Sequence, residues 1–313
     1  MSSAWGRVHL GDCLEVLPAE VAPGSVDLCY LDPPFFTGRD HGAFDDRWSW
    51  GPHAEADLAT AGRRGPEGFE RQLRGLLEAC ADPSLGAYLC FLAARLVEVR
   101  HALADHGAMF LHVDPTAGPA LRLLCDALFG RQNFLNEVIW RYRRWPVKQQ
   151  AFQRMHDVLL YHAKDAGHPD RRFSTLYEPR APSTLKRWGE AKIRASHRQD
   201  GSRAPSQGEL EPSDGAPLSD VWELPIIAPS AHERTGYPTQ KPLRLLERIV
   251  AVASVEGDYV LDPFCGSGTA LEAAAGLGRR CTGIDVSDDA LRLARQRLAP
   301  PTSPATGSRP RGS

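Results

Sequence analysis

The absences in this sequence narrow its chemistry before any motif is read. Its seven cysteines include no Cys-x-x-Cys pair. An odd count, set in apolar runs such as Asp27-Leu28-Cys29-Tyr30-Leu31, excludes a disulfide framework, so these residues read as small hydrophobes. No His-x-x-x-His and no Cys–His spacing occurs, and no metal centre is expected. No apolar run is long enough to span a bilayer and no signal peptide opens the chain. The expectation is a soluble, cytoplasmic protein of a reducing compartment. Charge of one sign is also missing overall, since 37 basic residues against 39 acidic ones leave a formal charge of −2. The distribution is less even. Between Arg131 and Arg198 stand 15 Lys and Arg against 6 Asp and Glu, a local +9 that the rest of the chain offsets with −11. Local charge, not the total, sets phosphate affinity.

Hydrophobic residues make up 42% of the chain, enough for a sizeable core. Short apolar runs alternate with helical periodicity, which predicts an α/β protein with a parallel sheet. Strands are expected at 26–31, 108–113, 134–140, 158–161, 259–261 and 281–284. Helices are expected at 85–106, 117–129, 242–252, 269–275 and 288–298, with Pro242 in a first turn where its missing donor costs least. The stretches 199–220 and 300–313 are rich in Ser, Gly and Pro and are expected to be unstructured. There is no internal repeat.

One strand–helix junction is rich in glycine: Asp262-Pro263-Phe264-Cys265-Gly266-Ser267-Gly268-Thr269. Such a junction places a ligand against the carboxyl end of a strand and the start of a helix. Asp285 closes the next strand, 23 residues after Asp262, where an acid can accept both hydroxyls of a ribose. A dinucleotide fingerprint would need a third glycine, and a phosphate loop would need Gly-Lys-Ser/Thr; both are absent. An adenosyl ligand without phosphates fits, and a plain tight turn is the alternative.

A second junction, Asp32-Pro33-Pro34-Phe35, follows a buried strand. Two successive prolines fix φ and remove two donors, leaving rigidly aimed carbonyls. The amino nitrogen of a nucleobase is a poor nucleophile, because its lone pair is conjugated to the ring. It can attack a methyl sulfonium once its hydrogens are held by acceptors. Asp32 and the Pro33 carbonyl supply two acceptors, and Phe35 supplies a face on which an extruded base can stack. The alternative is a rigid turn plugged by an aromatic ring.

Taken together, the order Gly11-Asp12, Asp32-Pro33-Pro34-Phe35, a basic middle, Tyr237-Pro238-Thr239-Gln240-Lys241-Pro242 and Asp262 to Thr269 resembles the DNA amino-methyltransferases, in their permuted β group. The resemblance covers nearly the whole chain. It implies a circularly permuted, doubly wound Rossmann-like methyltransferase domain with S-adenosylmethionine as cofactor and double-stranded DNA as substrate. By resemblance, Asp12 and the Cys13 backbone recognise the cofactor adenine, while Thr239 and Lys241 lie near its methionine carboxylate. The cofactor turn contributes Asp262, Phe264, Cys265, Gly266, Ser267, Gly268, Thr269 and Asp285. The family more often has His where this chain has Tyr237. Asp at the first tetrapeptide position implies the adenine amino group as target. Methylation of the cytosine amino group, or of adenine in RNA, stays open, as does a non-catalytic DNA-binding module that keeps the fold. A second copy of the chain and a restriction nuclease are the further partners left open. The run from His112-Val113-Asp114 to Val138-Ile139-Trp140 also resembles restriction-system modification subunits, although Asp114 reads equally as a strand-end turn residue.

The basic middle interleaves cations with aromatics in Trp140-Arg141-Tyr142-Arg143-Arg144-Trp145, followed by Lys148 and Arg154. Cations release counterions from phosphates, and aromatic faces stack unpaired bases. Arg141, Arg143, Arg144 and Lys148 are the candidate DNA contacts; a solvated loop face is the alternative. The expected organisation is a catalytic half at 1–140, a recognition region at 141–228, a cofactor half at 229–299 and a tail.

Overall fold

The computed structural model describes residues 6–38, 47–148, 150–188, 191–197, 203–212 and 215–299. The expected tail at 300–313 lies outside the described residues. The first part of the chain runs β1 (Gly6–Leu10), α1 (Cys13–Glu20), β2 (Val26–Leu31), α2 (Pro52–Arg64), α3 (Phe69–Cys80), α4 (Pro83–Ala102), β3 (Leu103–Val113), α5 (Gly118–Phe129), β4 (Phe134–Arg141) and β5 (His156–Ala163). It continues with β6 (Tyr177–Glu178), α6 (Pro182–Trp188), β7 (Ala191–His197), β8 (Arg203–Pro212) and β9 (Ala216–Pro217). The last part is β10 (Val221–Glu223), α7 (Leu243–Ala253), β11 (Tyr259–Asp262), α8 (Thr269–Gly276), β12 (Arg280–Asp285) and α9 (Asp288–Leu298).

Eight strands form the central sheet in the order β1-β12-β11-β2-β3-β5-β4-β10. The order shows the permutation directly: β11 and β12, from the C-terminal part, lie between β1 and β2. Leu261 pairs with Cys29 in parallel, so the two junctions picked out in the sequence emerge side by side. The sheet is not wholly parallel as expected. β5 runs antiparallel to both β3 and β4, because β4 and β5 are joined as a hairpin connection with no crossover helix to reverse the chain. Helices α1 to α5 pack among themselves and α7 to α9 among themselves, in keeping with a doubly wound sheet.

Residues of β2 show why the sheet lies so deep. Cys29 and Leu31 belong to the large apolar cluster beneath α4, while Leu28 and Tyr30, also buried, point to the other face. A strand covered on both faces reads as an unbroken apolar run. Helix α4 is buried around most of its circumference and is started by Asp82, whose carboxylate accepts from Ser84 N (2.9 Å), with Pro83 in the first turn. It ends at Ala102 and the chain passes directly into β3 at Leu103, a turn earlier than the apolar periodicity suggested. A helix buried on all sides loses the periodic contrast that marks its ends.

Residues 174–220 form a separate compact unit. This is narrower than the expected 141–228, since β5 and β10 belong to the central sheet, with Trp222 of β10 buried. The segment expected to be unstructured contains β8, paired antiparallel with β7 in the register His197↔Arg203 and Ile193↔Gln207. A hairpin ladder satisfies its own backbone groups, so a composition poor in apolar residues did not prevent it. Residues 198–202 and 213–214 lie outside the described residues. Among the described residues no helix is long and apolar enough to cross a membrane, and no group of His, Cys, Asp and Glu could hold a metal ion. The seven cysteines are free thiols.

Candidate active site

Asp32 follows the last residue of β2 and stands at the carboxyl edge of the sheet. Its carboxylate is held from two sides. Lys241 Nζ lies 2.5 Å from Oδ2, and His112 Nδ1 lies 3.8 Å from Oδ1. His112 is fully buried; the Tyr30 hydroxyl is 2.9 Å from its Nδ1, and Asp157 Oδ2 is 3.3 Å from its Nε2. Asp157 in turn accepts from the Tyr142 hydroxyl (2.9 Å). Although burial pushes it up, hydrogen bonds with His112 and Tyr142 and the nearby Lys241 hold the Asp157 carboxyl below its usual range.

The loop after Asp32 is tied down residue by residue. The Tyr88 hydroxyl donates to the Pro34 carbonyl (2.9 Å) and Thr37 N to the Phe35 carbonyl (2.9 Å). Phe36 N donates to Asp114 Oδ2 (3.2 Å), whose other oxygen accepts from Thr116 N (2.6 Å). Asp114 therefore closes a turn after β3, as the strand-end reading expected, and that turn also anchors the tetrapeptide loop, which the sequence did not reveal. The Phe35 ring packs 5.5 Å from His112, with Lys241 Nζ 5.0 Å from its centroid.

Beside this loop is a cavity of about 270 Å³. Each expected catalytic and cofactor residue lines it except Gly268. Gly268 has a different task. It sits at φ +79°, and a Cβ there would lie 2.7 Å from the Ala294 backbone, so only glycine lets α9 pack against the turn. Gly266, at φ +47°, lies under the Tyr237 ring, where a Cβ would meet Cε1 at 3.1 Å. Asp285 accepts from Gly266 N (2.8 Å) and Ser287 N (2.9 Å). Burial raises its carboxyl while those donors pull it back. Asp262 is fully enclosed, and burial pushes it well above the usual carboxylate range.

Two cations in the cavity wall have partners that the motifs did not reveal. Arg95, buried in α4, forks onto both oxygens of Asp12 and reaches Asp57 Oδ1 at 3.4 Å. Asp12 also caps α1 through Leu14 N (2.8 Å). The signal for Arg95 was present: an arginine inside the apolar run of α4 must be paired. Lys241, expected near the cofactor carboxylate, lines the same cavity and also contacts Asp32. The wall carries the carboxyl groups of Asp12, Asp32, Asp262 and Asp285 against two cations, Arg95 and Lys241. A net negative, partly apolar cavity with free carboxylate lone pairs suits a cationic adenosyl ligand.

The basic segment divides in two. Trp140 and Tyr142, expected as stacking faces, are buried. The Trp140 indole N–H donates to Leu224 O (2.9 Å), so both rings serve the sheet. Arg141 pairs with Glu223 across the β4–β10 ladder. Arg144 lies 4.9 Å over the Tyr142 ring. Arg143, Lys148 and Trp145 are exposed.

The model of the DNA methylase family, which embraces N6 and N4 amino-methyltransferases, matches residues 26–296. The chain belongs to the N6/N4 DNA methylase family. It is 26% identical to the type II methyltransferase M.HpaI of Haemophilus parainfluenzae over 88% of this chain and 68% of that one. It is 25% identical to the DNA adenine methyltransferase YhdJ of Escherichia coli K12, over 91% of this chain and 79% of that one. Its fold is similar to that of a DNA modification methylase from Thermus thermophilus, TTHA0409, solved in complex with S-adenosyl-L-methionine: TM-score 0.53 at 21% identity, covering 94% of this chain and 93% of the other.

Proposed function

We propose that this member of the family transfers a methyl group from S-adenosylmethionine to the exocyclic N6 of adenine in double-stranded DNA. The observation that carries this reading is the placement of Asp32 on the rim of the cavity, clamped by Lys241 and backed by His112. The bound cofactor supplies an electrophilic methyl on a sulfonium. All other work falls to the chain.

Asp285 presents its remaining lone pairs to the ribose hydroxyls, and the backbones around Phe264 and Cys13 with Asp12 border the adenine. Asp32 and the Pro33 carbonyl accept the two amino hydrogens. Lys241 engages one oxygen of Asp32, which leaves the other to meet the incoming N–H. As the nitrogen becomes tetrahedral its hydrogens turn acidic, and these contacts strengthen, so the loop is complementary to the transition state rather than to the planar base. The ties from Tyr88 and Asp114 keep the loop from reorganising during the step. Phe35 offers its ring to the extruded base.

Adenine as target is supported by Asp32 at the first tetrapeptide position and by the likeness to YhdJ. The test is transfer of labelled methyl to unmethylated genomic DNA, digestion, and identification of the nucleoside. N6-methyladenine is expected. N4-methylcytosine would overturn the base assignment and keep the chemistry.

A further inference from the structure

Residues 142–148 and 150–155 join β4 to β5 above the carboxyl edge of the sheet. Val113 at the end of β3 pairs with Val158, and Arg141 pairs with His156, so both ends of this connection lie on the edge from which Asp32 also emerges. Both roots are bonded back to the catalytic loop. At one, the Tyr142 hydroxyl donates to Asp157, which meets His112 behind Asp32. At the other, Arg154 donates to Thr116 Oγ1 (2.6 Å), in the turn where Asp114 holds Phe36 N.

Between these anchored roots the side chains have no core to enter. Trp145 is 90% exposed, Val147 is largely exposed and Phe152 is fully exposed. The connection is nevertheless braced. Gln153 donates to the Trp145 carbonyl (2.7 Å) and accepts from Val147 N (3.2 Å), fixing the Trp145-Pro146-Val147 turn. Between 142 and 155 the sequence has four cations, Arg143, Arg144, Lys148 and Arg154, and no carboxylate. Large apolar side chains held in water beside unopposed cations suit a partner that offers phosphates outside and an apolar stack inside. DNA is that partner, and a duplex whose target base reaches Asp32 must pass this connection.

We propose that Trp145 and Phe152 form a wedge that enters the base stack where the target base leaves it. This rests on the proposed transfer to a base in duplex DNA. Extruding a base costs its stacking and pairing and leaves a gap; an aromatic ring in the gap restores part of the stacking. The rings act on the duplex, not on the amino group, so their loss is felt only while the target base is still paired.

The test begins with the modified sequence read from unmethylated genomic DNA treated with the full-length wild-type chain. Synthetic duplexes of that sequence then carry either the normal partner base or an abasic site opposite the target. The Trp145→Ala, Phe152→Ala double variant, whose melting temperature is expected to match wild type because both rings are exposed, should lose about tenfold or more in kcat/KM on the paired duplex. On the abasic duplex the loss should stay within about twofold, since unpairing is already done. A fluorescent analogue at the target position should brighten less with the variant on the paired duplex alone. Equal losses on both duplexes, or none, would overturn the wedge while leaving the methyltransferase reading intact. A change in sedimentation with these substitutions would assign the surface to a second copy of the chain and also overturn it. No transfer to DNA by the wild-type chain would remove both readings together.

Discussion

Lys241 Nζ and Asp32 Oδ2 are 2.5 Å apart although 209 residues separate them in the chain. This contact brings the Tyr237–Pro242 motif into the catalytic centre and gives Lys241 a task beside the one expected for it. If Lys241 aims Asp32, replacing it by Met should lower turnover about ten- to a hundredfold with DNA affinity retained, and Arg should restore part of the rate. Single-turnover transfer of labelled methyl separates this from a cofactor contact. A loss confined to cofactor affinity would assign Lys241 to the methionine carboxylate instead.

Asp32 itself should be more sensitive. Asp32→Ala should reduce kcat by about a hundredfold or more while the protein stays folded and binds DNA, because the carboxylate works chiefly as the nitrogen becomes tetrahedral. Phe35→Ala should differ, showing part of its cost in DNA binding, since stacking holds the base before and during transfer. Undiminished turnover in Asp32→Ala would discard the mechanism.

Asp285→Ala should weaken S-adenosylmethionine binding by about 1.5–3 kcal/mol, measured by calorimetry with a chelator present. The substitution also removes the acceptor of Gly266 N, so the melting temperature of the cofactor-free protein should be recorded beside it. Tight NAD binding would contradict the cavity assignment.

Arg143 and Lys148 are the exposed cations least committed to the fold, whereas Arg141 is paired with Glu223 and Arg144 rests on Tyr142. Alanine at Arg143 and Lys148 together should flatten the salt dependence of DNA binding by about one unit of slope per lost phosphate contact. Cofactor affinity should not change. An unaltered slope would mean that both side chains only solvate the connection.

His162 gives a pH dependence with a definite sign. It is fully buried, neither ring nitrogen has a hydrogen-bond partner among the described residues, and burial lowers its pKa from 6.5 to about 4. Asp126 Oδ1, 3.5 Å from Nε2, opposes that shift only in part. A histidine kept neutral on folding contributes nothing adverse above the unfolded pKa. Stability is lost as pH falls from 6.5 towards 4, to a limit of about 3 kcal/mol. His162→Leu should remove this loss, seen as a smaller difference between urea midpoints at neutral and acid pH than in wild type. An identical difference in both proteins would show that other groups carry the acid sensitivity.

The sequence alone determined the features that depend on neighbours in the chain. The strand 26–31 was legible as an unbroken apolar run, the helix 288–298 by its periodicity, and both junctions by proline and glycine chemistry, because each is dictated by local backbone sterics and by which side chains refuse water. Family likeness supplied the order of the motifs and hence the permutation. Tertiary structure decided what depends on residues far apart. It turned β5 antiparallel, made Trp140 and Tyr142 core residues while leaving Trp145 exposed, and joined Arg95 to Asp12. It placed Lys241 and His112 around Asp32. Charged and aromatic side chains carry no local mark of their partners. A buried charge takes whichever opposite charge the fold brings within a few ångströms, since leaving it unpaired would cost more than most single contacts return.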